Sequence, residues 1–256
     1  MTVRPGAADD ALLARMVPGV GGIAWPALPG AVGSSMLALQ FQLEHTQWWP
    51  AATLARHQHR QLRALLDHAR RTVPFYEDRL ASLDLDRGLD PAAFRALPTL
   101  ARAQVQADTD ALHSRSVPPS HGSLLEAKTS GSTGEPVRIV GTQIHRFWWG
   151  ACLLRDHLWH ARDLGGKLAA IRTKIAGGDE TGWGPATDSV FRTGPCVTLN
   201  IRADIAEQAR WLAAENPDYL LSHPTNVLAL ARHCLAQGLL IPRLREVRTF
   251  GETLPA

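Results

Sequence analysis

The second half of the sequence alternates short apolar runs with amphipathic segments, and this alternation constrains the fold more than any other feature. Runs typical of buried strands lie at residues 137–140, 168–171, 195–201, 219–222 and 247–250. Segments with helical periodicity lie between them, at residues 143–163, 204–215 and 225–237. Strands that alternate with helices on this spacing predict an α/β fold with a mainly parallel sheet and helices on both faces. The loops that follow such strands meet at one edge, where open α/β sheets bind ligands.

The first half of the chain is predicted to be helical. An amphipathic helix is expected over residues 52–72, and Pro74 is expected to end it. Its apolar side is formed by residues spaced at helical intervals, Leu62, Leu65, Leu66, Ala69 and Val73. Asp90 and Pro91 are typical of a cap and a first helical position, so a short helix is expected there. A further helix is expected over residues 102–112.

These patterns divide the chain into three parts. Residues 1–35 are rich in Gly, Pro and Ala and are predicted to be an irregular lead-in. Residues 36–123 form the helical amino-terminal segment. Residues 124–256 form an α/β region that is expected to be incomplete at its carboxyl end. The loop that follows the last predicted strand has only begun where the sequence stops.

Charge and hydropathy exclude several classes of function. The chain has 256 residues, of which 45% are apolar, so it can bury a substantial core. Its formal net charge is only +3, and no basic stripe is present, which argues against a nucleic-acid partner. The most apolar stretch, residues 31–43, is too short to span a bilayer. The absence of a signal-peptide pattern predicts a cytoplasmic protein. The sequence leaves the oligomeric state undetermined.

The three cysteines are predicted to be buried free thiols. Cys152, Cys196 and Cys234 lie far apart and lack the pair spacing typical of zinc sites. We therefore expect no metal site of the protein's own, and we assign no nucleophilic residue.

A loop of hydroxyl-bearing residues and glycines is the strongest chemical signal. Residues 129–134 read Thr-Ser-Gly-Ser-Thr-Gly. Glycines let successive backbone N–H groups converge on a ligand, and the hydroxyls add neutral donors, so the composition suits a phosphate cradle. An ordinary surface loop would have a similar composition. The P-loop motif is excluded because Glu135 stands where that motif requires lysine.

This loop resembles the signature of the adenylate-forming enzymes. The resemblance rests on the motif Thr-Ser-Gly-Ser-Thr-Gly-x-Pro at residues 129–136. Upstream, Val-Pro-Phe-Tyr at residues 73–76 and Leu-Pro-Thr-Leu at residues 97–100 are similar to segments of the phenylacetate–CoA ligase branch and its relatives in capsule and coenzyme biosynthesis. The resemblance covers about residues 50–256.

The resemblance implies an ATP-dependent, AMP-forming carboxylate ligase that makes an acyl-adenylate and passes the acyl group to an acceptor, with coenzyme A expected. Six loop residues are implied to bind the β- and γ-phosphates of ATP: Thr129, Ser130, Gly131, Ser132, Thr133 and Gly134. Gly251 and Glu252 are implied to contact adenine. Mg²⁺ is expected to accompany ATP, and the other substrate is a small carboxylic acid whose identity the sequence does not give.

Two positions near the loop depart from the family pattern. Relatives commonly carry lysine where this chain has Glu135, and some carry lysine at Val137. A carboxylate beside a triphosphate is repulsive unless a cation compensates, and Arg138 is close enough in sequence to do so.

Other residues have two interpretations each. His223 and Pro224 follow a predicted strand and are a candidate substrate pocket, although a loop histidine held by its own backbone has the same pattern. Trp148, Trp149 and Trp159 could line an aryl pocket, but packing against the sheet is the favoured prediction.

Two rival hypotheses remain for the chain as a whole. Under the main hypothesis the chain is a fragment of a ligase, which would lack part of the active site and would be inactive alone. A non-catalytic remnant of the family that binds a nucleotide or a partner is the first alternative. An unrelated α/β protein with a coincidental loop is the second.

Overall fold

The computed structural model describes residues 7–128, 137–173 and 175–253, which contain helices and strands in the predicted order. The helices are Ala7–Leu13 (α1), Ala31–Thr46 (α2), Ala51–Thr72 (α3), Pro74–Glu77 (α4), Pro91–Arg95 (α5), Arg102–Ala107 (α6), Gln143–Trp159 (α7), Pro185–Asp188 (α8), Ile205–Glu215 (α9) and Pro224–Gln237 (α10). The strands are Leu124–Lys128 (β1), Arg138–Thr142 (β2), Leu168–Arg172 (β3), Gly178–Glu180 (β4), Cys196–Asn200 (β5), Tyr219–Ser222 (β6) and Glu246–Thr249 (β7). The stretch expected to be an irregular lead-in contains α1 and the start of α2.

The chain divides into two compact units. One comprises the described residues up to Leu39 together with those from Gly150 onward, and we call it the sheet unit. The other runs from Gln40 to Trp149, and we call it the helical unit. The three-part division of the sequence remains a prediction.

The helical unit is built on α3. A cluster of buried leucines holds α3 against the segment that follows it: Leu66, Leu80, Leu83 and Leu85. Leu62 and Ala69 pack on this cluster as predicted, whereas Leu65 is 60% exposed and was wrongly assigned to the buried side. The Asp90 side chain caps α5 by accepting a hydrogen bond from the Ala92 backbone N–H at 2.8 Å, as its sequence predicted.

The sheet unit contains a five-stranded sheet of order β4-β5-β3-β6-β7. The strands β3, β5, β6 and β7 are parallel, and the short strand β4 pairs antiparallel with β5 at one edge. The predicted α/β fold with a mainly parallel sheet is therefore confirmed. Strand β3 lies in the middle, and Leu168, Ala169, Ala170 and Ile171 are all buried, as expected for a strand covered on both faces.

Helices cover both faces of this sheet, as predicted. On one face, α9 and α10 pack on the strands through a continuous apolar cluster, Ala169, Ile171, Val197, Ala209, Leu212, Leu220 and Leu230. On the other face, Leu168, Cys196 and Tyr219 pack with Trp183. The Trp183 ring also contacts His157 of α7 at a centroid distance of 5.2 Å. None of the helices in the described ranges is long and apolar enough to cross a bilayer.

A buried carboxylate joins the starting points of three parallel strands. Asp218, just before β6, is 1% exposed. Its Oδ2 accepts hydrogen bonds from the backbone N–H of Lys167 before β3, at 2.8 Å, and from Arg243, at 2.7 Å. Its carbonyl accepts from the Arg245 N–H before β7, at 2.8 Å. Burial alone would raise the pKa of Asp218, but these donors outweigh it and hold the pKa below its usual range.

A second charged cluster lies where α7 meets β7. Arg162 donates to Glu246 and Asp156, each at 2.6 Å, and Arg248 donates to Asp156 at 2.9 Å. His157 lies between the two guanidinium groups and is 3% exposed. Burial, followed by the charges of Arg248 and Arg162, lowers the pKa of His157 to about 3. This histidine is therefore neutral in the folded protein at ordinary pH.

The buried histidine predicts a pH-dependent stability. Above pH 6.5 neither folded nor unfolded His157 binds a proton, whereas between pH 6.5 and 3 only the unfolded state does. The free energy of unfolding should therefore decrease as the pH is lowered through that window, by about 2 kcal/mol between pH 7.5 and pH 5. Urea titrations at both pH values should show a smaller drop for His157→Gln than for the wild-type chain. His59→Gln, at an exposed histidine of α3, is the control, and an equal drop in all three proteins would contradict this assignment.

Two leucines on neighbouring helices give a test of the core. Leu212 of α9 is 1% exposed, and Leu235 of α10 is 84% exposed. We expect Leu212→Ala to lower the free energy of unfolding by about 2–5 kcal/mol, because it leaves a cavity in the core. Leu235→Ala should change it by less than about 0.5 kcal/mol. Chemical denaturation measures both, and similar losses would show that the α9 face is not the core.

Candidate functional site

The predicted phosphate loop, residues 129–134, lies outside the described residues. Its flanking strands β1 and β2 are antiparallel, and Lys128 is the register partner of Arg138. The Arg138 guanidinium is 3.1 Å from a Glu126 carboxylate oxygen and 3.5 Å from one of Asp110. The charge expected to compensate Glu135 is thus shared with two other carboxylates.

The carboxyl edge of the sheet has the geometry of a ligand site in an α/β protein. From β3 the chain passes to β5 on one side, and from β6 it passes to β7 on the other. The adjacent strands β3 and β6 therefore form a topological switch point, outside which open α/β sheets bind ligands. Arg172 ends β3, and His223 follows the last residue of β6.

The ring of His223 has two neighbours from the segment around the end of β7. It packs on Phe250 with a centroid distance of 4.4 Å, and its Nδ1 lies 3.9 Å from a Glu252 carboxylate oxygen. Nδ1 is buried and makes no hydrogen bond to a described residue. His223 is also the N-cap of α10, which begins at Pro224. No described hydrogen bond holds the ring to its own backbone.

Gly251 and Glu252 lie against the start of α10. Gly251 has φ +77°, a left-handed conformation that favours glycine, and a Cβ there would lie 3.0 Å from the His223 ring. The Glu252 carboxylate accepts hydrogen bonds from the Thr225 backbone N–H at 3.0 Å and from its hydroxyl at 2.8 Å. The backbone N–H, followed by the hydroxyl, lowers the pKa of Glu252. The predicted adenine contact of these residues remains a prediction.

A buried polar network supports the edge from beneath. The Ser222 hydroxyl donates to the Ile171 carbonyl at 2.9 Å, which joins β6 to β3. Asn226 of α10 donates to Ser222 at 3.0 Å and to Gln208 of α9 at 2.8 Å. Gln208 in turn donates to the Ala203 carbonyl at 2.7 Å. Sequence reasoning missed this network, although polar residues on the inward faces of two apolar helices were a usable signal.

Arg172 and Asn200 end neighbouring strands in direct register. The amide of Asn200 is already used within its own loop: it donates to the Ile175 carbonyl at 2.9 Å and accepts from the Arg202 N–H at 3.0 Å. Arg172 is exposed, and its side chain makes no hydrogen bond or ion pair with another described residue. It is one of the cationic groups at this edge, where Arg202 after β5 is also exposed.

Several other candidate residues are placed differently from the predictions. Trp148, Trp149 and Trp159 are 46%, 71% and 59% exposed, so the predicted packing against the sheet was wrong. Trp159 instead lies under the Arg155 guanidinium, 4.1 Å from the ring centroid. An aryl pocket lined by these residues remains a prediction.

The cysteines are free, but they are not all buried. Cys152 is exposed, Cys234 is half-buried and only Cys196 is buried. Burial raises the pKa of Cys196 to about 11, so its thiol is not a nucleophile at neutral pH. Within the described ranges, no group of three or more His, Cys, Asp or Glu side chains is arranged to hold a metal ion.

The helical unit contains an apolar cavity of about 620 Å³. Leu65, Leu66, Val73 and Phe94 are among its lining residues. Two polar side chains at its wall are already engaged within the unit. Arg79 donates to the Pro98 carbonyl at 3.0 Å, and His68 lies 3.4 Å from the Ser114 hydroxyl. The cavity is suited to apolar contact rather than to chemistry.

Comparison with solved structures identifies the fold. An open conformation of 2-hydroxyisobutyryl-CoA ligase, in complex with 2-HIB-AMP and CoA, matches 80% of this chain with a TM-score of 0.59 and 17% sequence identity. The chain shares the fold of part of this ligase. The same ligase in its thioesterification state matches 74% of the chain with a TM-score of 0.52 and 19% identity. The chain spans 49% and 41% of the lengths of these two structures. No protein-family model and no curated protein sequence matches it.

The contact between Glu252 and Thr225 makes a spectroscopic prediction. Thr225→Val removes the hydroxyl donor but keeps the backbone N–H, so the pKa of Glu252 should rise part of the way towards its ordinary value. Carboxyl chemical shifts followed by NMR during an acid titration measure this change. Thr249→Val, which removes a neighbouring exposed hydroxyl that makes no described contact with Glu252, serves as the control. An unchanged Glu252 titration in Thr225→Val would show that the hydroxyl does not stabilise the carboxylate.

Proposed function

We propose that this chain is the nucleotide-binding part of an ATP-dependent, AMP-forming carboxylate ligase similar to phenylacetate–CoA ligase. The reaction joins ATP to a small carboxylic acid, releases pyrophosphate and passes the acyl group to an acceptor, for which we propose coenzyme A. The observation that carries the proposal is the fold shared with an acyl-CoA ligase over 80% of the chain. That ligase was crystallised with an acyl-adenylate and CoA.

The chemistry needs no nucleophile from the protein. A carboxylate oxygen of the acid attacks the α-phosphorus of ATP, the bond from that phosphorus to the bridging oxygen breaks, and pyrophosphate leaves. The protein contributes by positioning the two substrates and by stabilising negative charge at the phosphorus. The raised pKa of Cys196, the one buried cysteine among the described residues, agrees with this scheme.

The loop at residues 129–134 is proposed to bind the β- and γ-phosphates through its backbone N–H groups and hydroxyls. Mg²⁺ would be bound mainly through the phosphates, as is usual for this ion with nucleotides. Gly251 and Glu252 are proposed to contact adenine.

Nucleotide binding tests the proposed function directly. A variant carrying Thr129→Val, Ser130→Ala and Thr133→Val loses three hydroxyls of the loop. Each hydrogen bond to a charged group contributes about 1.5–3 kcal/mol, so the Kd for ATP should rise at least about 10-fold. The Kd for AMP should stay within about 2-fold, because AMP lacks the β- and γ-phosphates. Isothermal titration calorimetry with Mg²⁺ present measures both.

Ser35→Ala is the matched control, because the Ser35 hydroxyl bonds only to the Ala31 carbonyl of its own helix at 2.9 Å. If wild-type chain bound no ATP, or if the loop variant bound it as well as the wild type does, the proposed function would be wrong. Exchange of labelled pyrophosphate into ATP with a panel of acids then separates catalysis from binding. ATP binding without exchange would favour the non-catalytic, nucleotide-binding alternative for this chain.

A further inference from the structure

The solvent side of α3 carries a row of arginines. Arg56, Arg60 and Arg63 are all exposed, and they follow one another at spacings of four and three residues. They therefore lie on one side of the helix, along about 10 Å of its length. The other side of α3 is the one that packs on the buried leucine cluster of the helical unit. A short basic stripe is thus present on α3, contrary to the expectation from the sequence.

The fold leaves this stripe without counter-charge. Arg56, Arg60 and Arg63 form no ion pair with a carboxylate of the described residues. Their hydrogen bonds go to groups that carry no negative charge, which are the Thr53 hydroxyl, the His57 ring and the Asp86 carbonyl, respectively. Asp67, the only acidic residue of α3, pairs instead with the two arginines of the last turn. Like charges at this spacing repel one another, and an external anion would relieve the repulsion.

The stripe borders two open depressions of the surface, of about 300 and 370 Å³. Arg60 lines both of them, so the surface is continuous from Arg56 to Arg63. Carboxylates line only the first depression, which lies towards the carboxyl end of α3 and includes Asp67 and Asp86. The more cationic part is therefore at the amino end of α3. The first turn of this helix has no acidic residue, so the helix macrodipole adds positive charge at the same end.

Exposed aromatic rings lie beside this cationic end. Trp48 and Trp49, in the turn directly before α3, are 78% and 38% exposed. The Trp49 ring contacts His57 of the second depression at a centroid distance of 4.8 Å, so the turn adjoins the stripe. An indole has a large apolar body and one polar N–H, a combination that favours the boundary between lipid and water. We call Trp48, Trp49, Arg56, Arg60 and Arg63 the basic–aromatic surface.

We propose that the basic–aromatic surface docks this protein on membranes that contain anionic phospholipid. The arginines bind headgroup phosphates, and Trp48 enters the interface between headgroups and acyl chains. The protein then lies on the bilayer without crossing it. This inference does not depend on the proposed ligase function, because it uses a different part of the chain and a different ligand.

Single-stranded nucleic acid is the other anionic partner that combines phosphate and aromatic contacts. Such binding requires free ring faces on which successive bases stack. Trp49 already has His57 against its ring, and Phe41 has His45 against its ring at 4.2 Å. Insertion of Trp48 into a lipid interface requires only that the ring protrudes, and its 78% exposure satisfies this condition. The geometry therefore favours the membrane.

Binding to vesicles tests the docking surface. Vesicles of phosphatidylcholine alone are compared with vesicles of equal parts phosphatidylcholine and phosphatidylglycerol by co-sedimentation with the wild-type chain. Binding is expected to the anionic vesicles and not to the neutral ones. It should weaken as the salt concentration rises, because the attraction of exposed charges to a membrane surface is screened.

Three variants test the residues of the surface. The triple change Arg56→Gln, Arg60→Gln and Arg63→Gln should weaken binding to anionic vesicles about 100-fold, because each arginine near such a surface contributes about 5-fold. The corresponding triple change to lysine should retain most of the affinity, since headgroup phosphates attract a point charge as well. Trp48→Ala should weaken binding about 10-fold, because the apolar area of the indole no longer leaves water.

Matched controls separate the surface from net charge and from aromatic content. The control for the glutamine triple removes the same charge at exposed arginines of the sheet unit, Arg202→Gln, Arg210→Gln and Arg232→Gln. The control for Trp48 is Trp159→Ala, at a ring that is 59% exposed. Both controls should bind anionic vesicles as the wild type does. Chemical denaturation of each variant shows that it is folded.

Four results would reject the docking surface. The first is no binding of the wild-type chain to anionic vesicles, and the second is a loss in the α3 triple no larger than in its control. The third is equal binding by Trp48→Ala and Trp159→Ala. The fourth is binding of single-stranded oligothymidine that depends on the α3 arginines when vesicles are not bound, which would assign the surface to nucleic acid.

Discussion

The buried carboxylate of Asp218 is the interaction on which the sheet unit depends. It bonds to the backbone N–H before β3 and to Arg243, while its own carbonyl receives the N–H before β7. A buried ionised group is costly unless its oxygens are fully bonded, so these segments are fixed relative to one another for the carboxylate to be tolerated. The parallel register of β3, β6 and β7 is thereby set at the amino ends of the strands.

That fixed register decides what the opposite edge can do. With the amino ends aligned, β3 and β6 stay paired from Leu168–Tyr219 to Ala170–Leu221, and Arg172 and His223 follow at the carboxyl edge. The Ser222, Asn226 and Gln208 network satisfies the polar groups on the α9–α10 face beneath them. The polar residues below the edge therefore bond internally, whereas Arg172 at the edge itself is exposed.

The sequence predicted the order and type of most elements because their signals are local. The spacing of apolar residues determines whether a segment is a helix or a strand. The Asp90 cap and Gly238 mark the start of α5 and the end of α10, and each of these signals depends only on residues close by in the sequence. Predictions that depended on tertiary packing were less successful. Trp149 and Cys152 lie within apolar stretches of α7, yet both are exposed, because periodicity cannot tell which side of a helix the rest of the protein covers.

The candidate site could be predicted only in part, for the same reason. The position of His223 after a strand was readable, since strand ends meet at one edge of a parallel sheet. Arg172 carried no signal of its own, because its lack of a carboxylate partner is a property of the folded chain. The dual position of His223, as N-cap and as neighbour of Phe250, likewise depends on how β6 and β7 align.

The bond between Glu252 and Thr225 has a consequence for any ligand at this corner. Both Thr225 donors bond to Oε2 of Glu252, so only a ligand that pulled the whole carboxylate away from α10 would leave the Thr225 N–H without its acceptor. Ligand binding would then be thermodynamically coupled to fraying of the first turn of α10. The free energy needed to fray that turn would lower the observed affinity. A ligand that instead donated to Oε1 and left the carboxylate where it lies would avoid this cost, so the corner favours donors that approach Glu252 without displacing it.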